Sequence, residues 1–161
     1  MRLIELAELL QAPVHDRPFR FRMNFPTRHP LYGAGSVADA DVILGLEVPD
    51  FWNATHAQTP VNRTGMQTRT TTKAGAKLIH ISSTDLVSKS NYQDFGPYAE
   101  VDVAIAADAE ASLPALIEAC KRLVTSDRRR AFQDRGVKFA DASHRSHEKT
   151  LDDAAWAAAH A

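Results

Sequence analysis

An unbroken apolar run covers Val42–Leu46, with Asp41 before it and Glu47 after it. A strand with one solvated face alternates apolar and polar residues, whereas a strand covered on both faces has no polar face. The run therefore predicts a central strand of a parallel sheet with helices on both sides; a short buried helix segment is the alternative. Two more strands are predicted at residues 76–85 and 101–108, and each ends on polar residues.

Apolar residues at helical spacing predict a helix on either side of these strands. The first helix begins almost at Met1 and ends near Gln11. The second follows the third strand, with Ser112 as its predicted N-cap and Pro114 in its first turn. This order of strands and helices predicts an α/β fold of three layers with a mainly parallel sheet.

The remaining segments are less regular. Residues 12–16 predict a short strand with a proline near its start, and residues 53–76 predict a long polar loop that contacts a ligand or partner. A last helix is predicted from a cap at Ser126 and Asp127, and the alanine-rich residues 152–161 show no stop signal. Three consecutive arginines lie on the exposed face of this helix: Arg128, Arg129 and Arg130.

Composition limits the class of protein. The chain has 161 residues, the size of one domain, and a net charge of −1 from 19 basic and 20 acidic residues. This balance indicates neither a nucleic-acid surface nor a polybasic membrane patch, and the apolar runs are too short for a membrane span. Cys120 is the single cysteine, so no disulfide forms within the chain and a reducing cytoplasm is the expected location.

Several residues have two interpretations. Residues 17–28 alternate cationic and aromatic side chains, which can stack nucleic-acid bases; the balanced overall charge favours a surface loop with inward-packed rings. His144 and His147 share a helix face, but two ligands are too few for zinc, so solvated histidines are expected. His80 lies in an apolar strand, where a hydrogen-bonded core histidine is favoured over a catalytic base. Cys120 lies on an apolar helix face and is interpreted as a small hydrophobic residue.

Catalytic signatures are missing from the sequence. It contains no Gly-x-Ser-x-Gly elbow, no Walker loop and no Gly-x-Gly-x-x-Gly motif. The residues by themselves therefore predict an α/β domain with no catalytic residue and no metal site.

Several segments, in order along the chain, resemble the central domain of thiamine-diphosphate-dependent enzymes of the acetolactate synthase and 2-oxo acid decarboxylase superfamily. They are residues 6–14, 25–26 with 29–31, 40–46, 76–81, 101–109 and 113–116. The resemblance implies that residues 1–125 form this domain, a Rossmann-like fold of the DHS-like NAD/FAD-binding type that lacks its first strand. Residues 126–161 would be a helical linker toward a carboxyl-terminal domain.

Enzymes of this family have three domains, and the outer two hold the cofactor. The activating glutamate belongs to the amino-terminal domain and the Gly-Asp-Gly…Asn magnesium motif to the carboxyl-terminal one; neither motif is found in this chain. The resemblance thus implies a structural domain of an enzyme that acts on 2-oxo acids with thiamine diphosphate and magnesium. The chain alone is expected to be inactive and to hold no cofactor, with the flanking domains as its partners.

Central domains of this family sometimes hold FAD or ADP. A vestigial nucleotide site in this chain would use Gly33, Gly35, Ser82, Ser83 and Asp108. The family's Gly-x-Arg after its third strand is replaced by Glu47-Val48-Pro49, which puts a carboxylate where an anionic pyrophosphate would lie. FAD and ADP are therefore disfavoured.

Two other functions stay open. A free-standing FAD-, ADP- or NAD-binding module would use the polar residues at the strand ends. A non-enzymatic interaction module would use residues 53–76 and the cationic–aromatic segment, with exposed rings at Phe51, Trp52, Phe19 and Phe21. Because the family's first strand is absent, strand edges are left unpaired, and we expect a homo-oligomer that covers them.

Overall fold

A computed structural model describes residues 2–16, 24–63, 65–83 and 98–160. Phe19 and Phe21, with most of the cationic–aromatic segment, lie outside that part, as do residues 84 and 85 of the second predicted strand. The chain forms two compact units: a helical unit, Met1–Gly35 with Ala115–Ala161, and a sheet unit, Ser36–Pro114. The helices and strands, in chain order, are α1 (Arg2–Leu10), β1 (Val42–Leu46), α2 (Phe51–Thr55), β2 (His56–Pro60), β3 (Met66–Thr70), β4 (Lys77–Ser82), β5 (Val103–Ala106), α3 (Ala109–Leu123) and α4 (Ser126–Ala159).

The sheet unit contains a three-stranded parallel sheet in the order β1-β4-β5. Gly45 of β1 pairs with His80 of β4, which pairs in turn with Ala104 of β5. The predicted mixed α/β class and parallel pairing are confirmed. The central position predicted for Val42–Leu46 is wrong within the described strands, where β4 is central. The reason is that an apolar run indicates cover on both faces of a strand, not the number of its paired neighbours.

Gly45 gives the sheet room for an aromatic ring. The buried Phe51 stacks on the His80 ring, with 4.9 Å between centroids and 11° between planes. A Cβ added at Gly45 would lie 2.8 Å from Cε2 of Phe51 and 3.0 Å from Cδ2 of His80. The single small residue in the apolar run is therefore the position over which α2 packs on β1.

Ion pairs connect the amino ends of the strands. Lys77 Nζ lies 2.6 Å from Asp102 Oδ1, and the backbone N–H of Leu78 donates to Asp102 Oδ2 at 2.9 Å. The hydrogen bond from Lys77 is the main reason why the pKa of Asp102 is below its ordinary value, and the hydrogen bond from the Leu78 N–H adds to it. Such exposed pairs contribute little stability, but they fix the start of β4 against the segment that leads into β5.

β2 and β3 form an antiparallel hairpin, in which His56 pairs with Thr70 and Pro60 with Met66. The sequence predicted an irregular loop over residues 53–76, and that prediction is wrong. β3 is exposed along its whole length, so the alternation of apolar and polar residues that marks a half-buried strand is missing. Threonine-rich composition favours extended structure even so.

In the helical unit, α1 packs on a small core. Ala7, Phe25 and Leu31 are buried there, and Phe139 of α4 packs against them. The predicted first helix is confirmed. The strand predicted at residues 12–16 is wrong, because Val14 forms only a single parallel bridge, with Tyr32. Proline at position 13 has no N–H for a strand ladder.

Two predicted caps are displaced. α3 begins at Ala109, and Asp108 Oδ1 accepts the hydrogen bond from the Ala111 N–H at 2.8 Å. Ser112, the predicted cap, lies inside the helix and donates to the Asp108 carbonyl. Thr125 caps α4, one residue before the predicted cap. Asp, Ser and Thr offer the same kind of side-chain oxygen, so composition alone does not choose between neighbouring candidates.

Candidate functional site

Two parallel strands and one helix terminus meet at the carboxyl edge of the sheet. β1 ends at Leu46, β4 ends at Ser82, and α3 begins at Ala109. Ligands of open parallel sheets bind at this edge. Helix N-termini attract anions because their first backbone N–H groups have no partner within the helix. This edge is therefore the candidate functional site of the sheet unit.

Glu47 follows β1 in a left-handed backbone conformation, with φ at 47°. Its backbone N–H still donates to the Ile81 carbonyl at 2.9 Å, so the residue is held to β4 as the chain turns. A residue with a Cβ adopts this conformation at a cost of about 1–2 kcal/mol. The contacts of the Glu47 side chain offset that cost.

The Glu47 carboxylate collects hydrogen bonds from three parts of the sheet unit. The Ser83 N–H donates to both carboxylate oxygens, at 3.0 and 3.1 Å, and the Ser83 hydroxyl donates at 2.9 Å. The buried Ser82 hydroxyl lies at 3.3 Å. The Ala109 N–H, the first of α3, donates at 3.0 Å. One side chain thus connects β1, β4 and α3.

These contacts decide the charge of Glu47. Partial burial alone raises the pKa of its carboxyl group, but the hydrogen bonds from Ala109, Ser83 and Ser82 together outweigh burial and hold the pKa below its ordinary value. The group is therefore an anion at neutral pH. The N–H groups that a bound phosphate would use at this edge are therefore already occupied by a carboxylate of the chain itself.

Three of the five residues predicted for a nucleotide site lie at this edge. Ser82 and Ser83 are joined through Glu47, and Asp108 directly precedes Ala109. The Asp108 carboxylate caps α3, a local structural role. The sequence predicted a carboxylate at Glu47 after the strand. It predicted neither the positive φ of this residue nor the hydrogen bonds that its carboxylate accepts from Ser82, Ser83 and Ala109.

Gly33 and Gly35 belong to the helical unit, not to the sheet unit that holds the other three predicted residues. Both have positive φ, 63° and 64°. A Cβ at Gly35 would lie 3.2 Å from Cε1 of Phe139. The positive φ and the close approach of Phe139 both favour glycine at position 35. No phosphate is needed to explain this residue.

The other singled-out residues lie in packing positions. The His80 ring is stacked on Phe51 and half-buried, as expected of a core histidine. Burial raises the pKa of the Cys120 thiol, which keeps it protonated and unreactive at neutral pH. Trp52 is half-buried and stacks on His56 at 4.7 Å. Of the four rings proposed for an interaction surface, Phe51 is therefore buried and Trp52 is only partly exposed.

In the part of the chain that the structure describes, metal-ligating side chains are dispersed. Across residues 2–16, 24–63, 65–83 and 98–160, no three His, Cys, Asp or Glu side chains come together in a way that could hold a metal ion. His144 Nδ1 lies 3.4 Å from Glu148 Oε1 on α4, and both side chains are exposed.

Comparisons of the chain with protein-family models, with curated proteins and with solved structures give no match. Among the described helices, none combines the length and the apolar character that crossing a membrane requires. The functional proposal therefore depends on the residues themselves.

Proposed function

We propose that this chain is the central, non-catalytic domain of a thiamine-diphosphate-dependent enzyme that acts on 2-oxo acids. The ordered set of resembling segments supports the proposal. Two of these segments form the neighbouring parallel strands β1 and β4, and a third forms β5. This arrangement is compatible with the three-layer, Rossmann-like fold of such domains. The role is structural: the domain connects and positions the catalytic domains, in the cytoplasm.

The observation that carries the structural role is the position of the Glu47 carboxylate. It already accepts the Ser83 and Ala109 N–H groups, which a diphosphate at this edge would need. A phosphate about 4 Å from the carboxylate would meet a repulsion of about 4 kcal/mol at an effective dielectric constant of 20. FAD and ADP are therefore disfavoured, and the edge serves to hold β1, β4 and α3 together.

Thiamine diphosphate and magnesium are held by the two flanking domains in enzymes of this family. Those domains are the partners that we propose for this chain, and residues 126–161 are the proposed linker toward one of them. The cofactor supplies carbanion chemistry to the parent enzyme. We further propose self-association through the strand edges, since β1 and β5 each have one paired neighbour among the described strands.

The deciding experiment is to read the full coding sequence around this chain. The proposal expects an upstream domain with the activating glutamate and a downstream domain with the Gly-Asp-Gly…Asn motif. A reading frame that encodes neither contradicts it. Calorimetry on the present chain is the second test, and we expect no saturable heat with thiamine diphosphate and Mg²⁺, with ADP or with FAD.

The alternative is a free-standing nucleotide-binding module. The observation that favours it is the α3 N-terminus beside the Ser82 and Ser83 side chains at the carboxyl edge. If the wild-type chain gives saturable heat with FAD, ADP or NAD, this alternative replaces the structural role. Glu47→Ser is the matched variant: binding that appears only in this variant shows that the carboxylate excludes the nucleotide.

A further inference from the structure

β3 is an exposed edge strand in the sheet unit. All of its residues, Met66–Thr70, are exposed, and Met66 is 56% exposed. Among the described strands, β3 pairs with β2 and with no other. A two-stranded hairpin alone is marginally stable in water, and a third strand adds stability to it. β3 is therefore a place where a further strand can join the hairpin.

The register of the hairpin decides which backbone groups of β3 point away from β2. The Thr71 N–H donates to the Thr55 carbonyl at 2.9 Å, so these two residues form a hydrogen-bonded pair. The same holds for Val61 and Gly65, at 2.9 Å. Hydrogen-bonded and non-hydrogen-bonded pairs alternate in an antiparallel ladder, and the backbone groups of the second kind point outward. The outward-pointing residues of β3, which we call the open edge, are Met66, Thr68 and Thr70.

The outer edge of β2 is less suited to pairing. Pro60 lies opposite Met66, so its backbone also points away from the partner strand. Proline has no N–H, and a proline on an edge strand interrupts the hydrogen bonds that an added strand needs. We therefore expect a further strand to pair with the open edge of β3 and not with β2.

The hairpin is cationic as well as open at one edge. Residues 51–76 contain no Asp or Glu, and their Lys and Arg residues are Arg63, Arg69 and Lys73. Lys73 forms an ion pair with Asp41, whereas Arg69 has no ion-pair partner among the described residues. Because Arg69 alternates with the residues of the open edge, an added strand faces it in a non-hydrogen-bonded pair. Side chains approach most closely in such pairs, and opposite charges across them attract, so an acidic strand is favoured.

We propose that the open edge of β3 binds an extended, acidic segment of a protein partner as a third strand of the hairpin. Backbone hydrogen bonds to the open edge supply affinity, and a carboxylate opposite Arg69 supplies selectivity. The bound segment alternates acidic residues, on the Arg69 face, with β-branched residues, on the Met66 face. This binding mode goes beyond the proposed function and does not rest on it, because no residue of the carboxyl edge takes part.

The test uses the whole chain and end-blocked peptides of about seven residues, the length of an ordinary strand. The probe alternates Thr and Glu, and a charge control alternates Thr and Lys. A backbone control is the Thr–Glu peptide with N-methyl groups on its Thr residues, whose N–H groups would otherwise pair with the open edge. By NMR titration, we expect the Thr–Glu peptide to bind saturably and about 5-fold tighter than the Thr–Lys peptide. The N-methylated peptide should not bind.

Amide hydrogen exchange locates the bound strand. With the Thr–Glu peptide, exchange should slow at the N–H groups of the open edge. It should change little at the N–H groups of Gln67 and Arg69, which point toward β2 in the free chain. This alternation is expected of an added strand and not of unspecific attraction between charges.

Two pairs of variants complete the test. Thr68→Pro removes one outward N–H of the open edge and should abolish binding, whereas Gln58→Pro, the same change at the residue opposite on β2, should keep it. Arg69→Glu should reverse the preference toward the Thr–Lys peptide, whereas Arg122→Glu, at an exposed arginine of α3, should not. Circular dichroism and the slow exchange of the Gln67 N–H check that each variant keeps the hairpin.

Four outcomes overturn the proposal. They are no saturable binding of the Thr–Glu peptide, equal binding of its N-methylated form, binding that survives Thr68→Pro with the hairpin intact, and an unchanged charge preference in Arg69→Glu. A DNA duplex of about 20 base pairs is the nucleic-acid arm of the test. Binding of the duplex without binding of the peptide would assign the cationic hairpin to nucleic acid and also overturn the proposal.

Discussion

Replacing Glu47 with alanine tests whether its carboxylate holds the sheet unit together. The change leaves the N–H of the buried Ala109 without its acceptor and removes the Glu47 contact of the Ser82 hydroxyl. A buried donor that loses its acceptor costs about 1–3 kcal/mol, whereas water replaces the acceptor at the exposed Ser83 groups. We expect Glu47→Ala to lower the free energy of unfolding by about 2 kcal/mol, or the melting temperature by about 4–8 °C for a chain of this size.

A glycine variant at position 47 separates the stability effect of the carboxylate from the cost of the backbone conformation. Glu47 has φ at 47°, which costs a residue with a Cβ about 1 kcal/mol and costs glycine nothing. Glu47→Gly loses the same hydrogen bonds but gains this relief. We therefore expect Glu47→Gly to be about 1 kcal/mol more stable than Glu47→Ala.

The effect of Glu47 should depend on pH with a defined sign. Because the pKa of its carboxyl group is lower in the folded chain, the stabilisation is fully present above the ordinary value of about 4.5 and is lost as pH falls through the folded value. The difference between the wild-type chain and Glu47→Gln should therefore shrink between pH 5 and pH 3.

Urea unfolding followed by circular dichroism measures these differences, with Glu100→Ala, a change at an exposed glutamate, as the control. The reasoning is refuted if Glu47→Ala and Glu100→Ala destabilise the chain equally. It is also refuted if the effect of Glu47→Gln is the same at pH 3 and pH 7.

Three further changes test the packing. Gly45→Ala should destabilise the chain by about 1–3 kcal/mol in urea unfolding because the added methyl overlaps Phe51; an unchanged midpoint would contradict this packing. Gly136→Ala should stabilise a Gln11→Ala background by up to about 1 kcal/mol, but should gain less in the wild-type chain, where the Gln11 side chain must shift to make room for the methyl. A double-mutant cycle measures that coupling, and additivity would disprove it. Asp108→Ala should cost about 1 kcal/mol through loss of the α3 cap, and a loss below about 0.3 kcal/mol by thermal unfolding would count against the cap.

Features that depend on local pattern could be predicted from the sequence. The apolar runs identified β1, β4 and β5 because short runs of branched apolar residues favour strands, although β5 is exposed along its length in the described structure. The amphipathic spacing of residues 3–10 identified α1 for the corresponding helical reason. The carboxylate after β1 was also predicted, since it depends only on the residue that follows the strand.

Features that depend on distant partners could not be predicted. The β2–β3 hairpin is exposed, so no apolar alternation marked it, and only the pairing of the two strands defines it. Glu47 accepts hydrogen bonds from residues 36 and 62 positions away, and no local pattern encodes such a meeting. Gly45 appeared only as a small residue in an apolar run; the ring of Phe51 packed over it gives the reason. Tertiary structure decided these features because each is a contact between segments whose separate sequences carry no sign of the other.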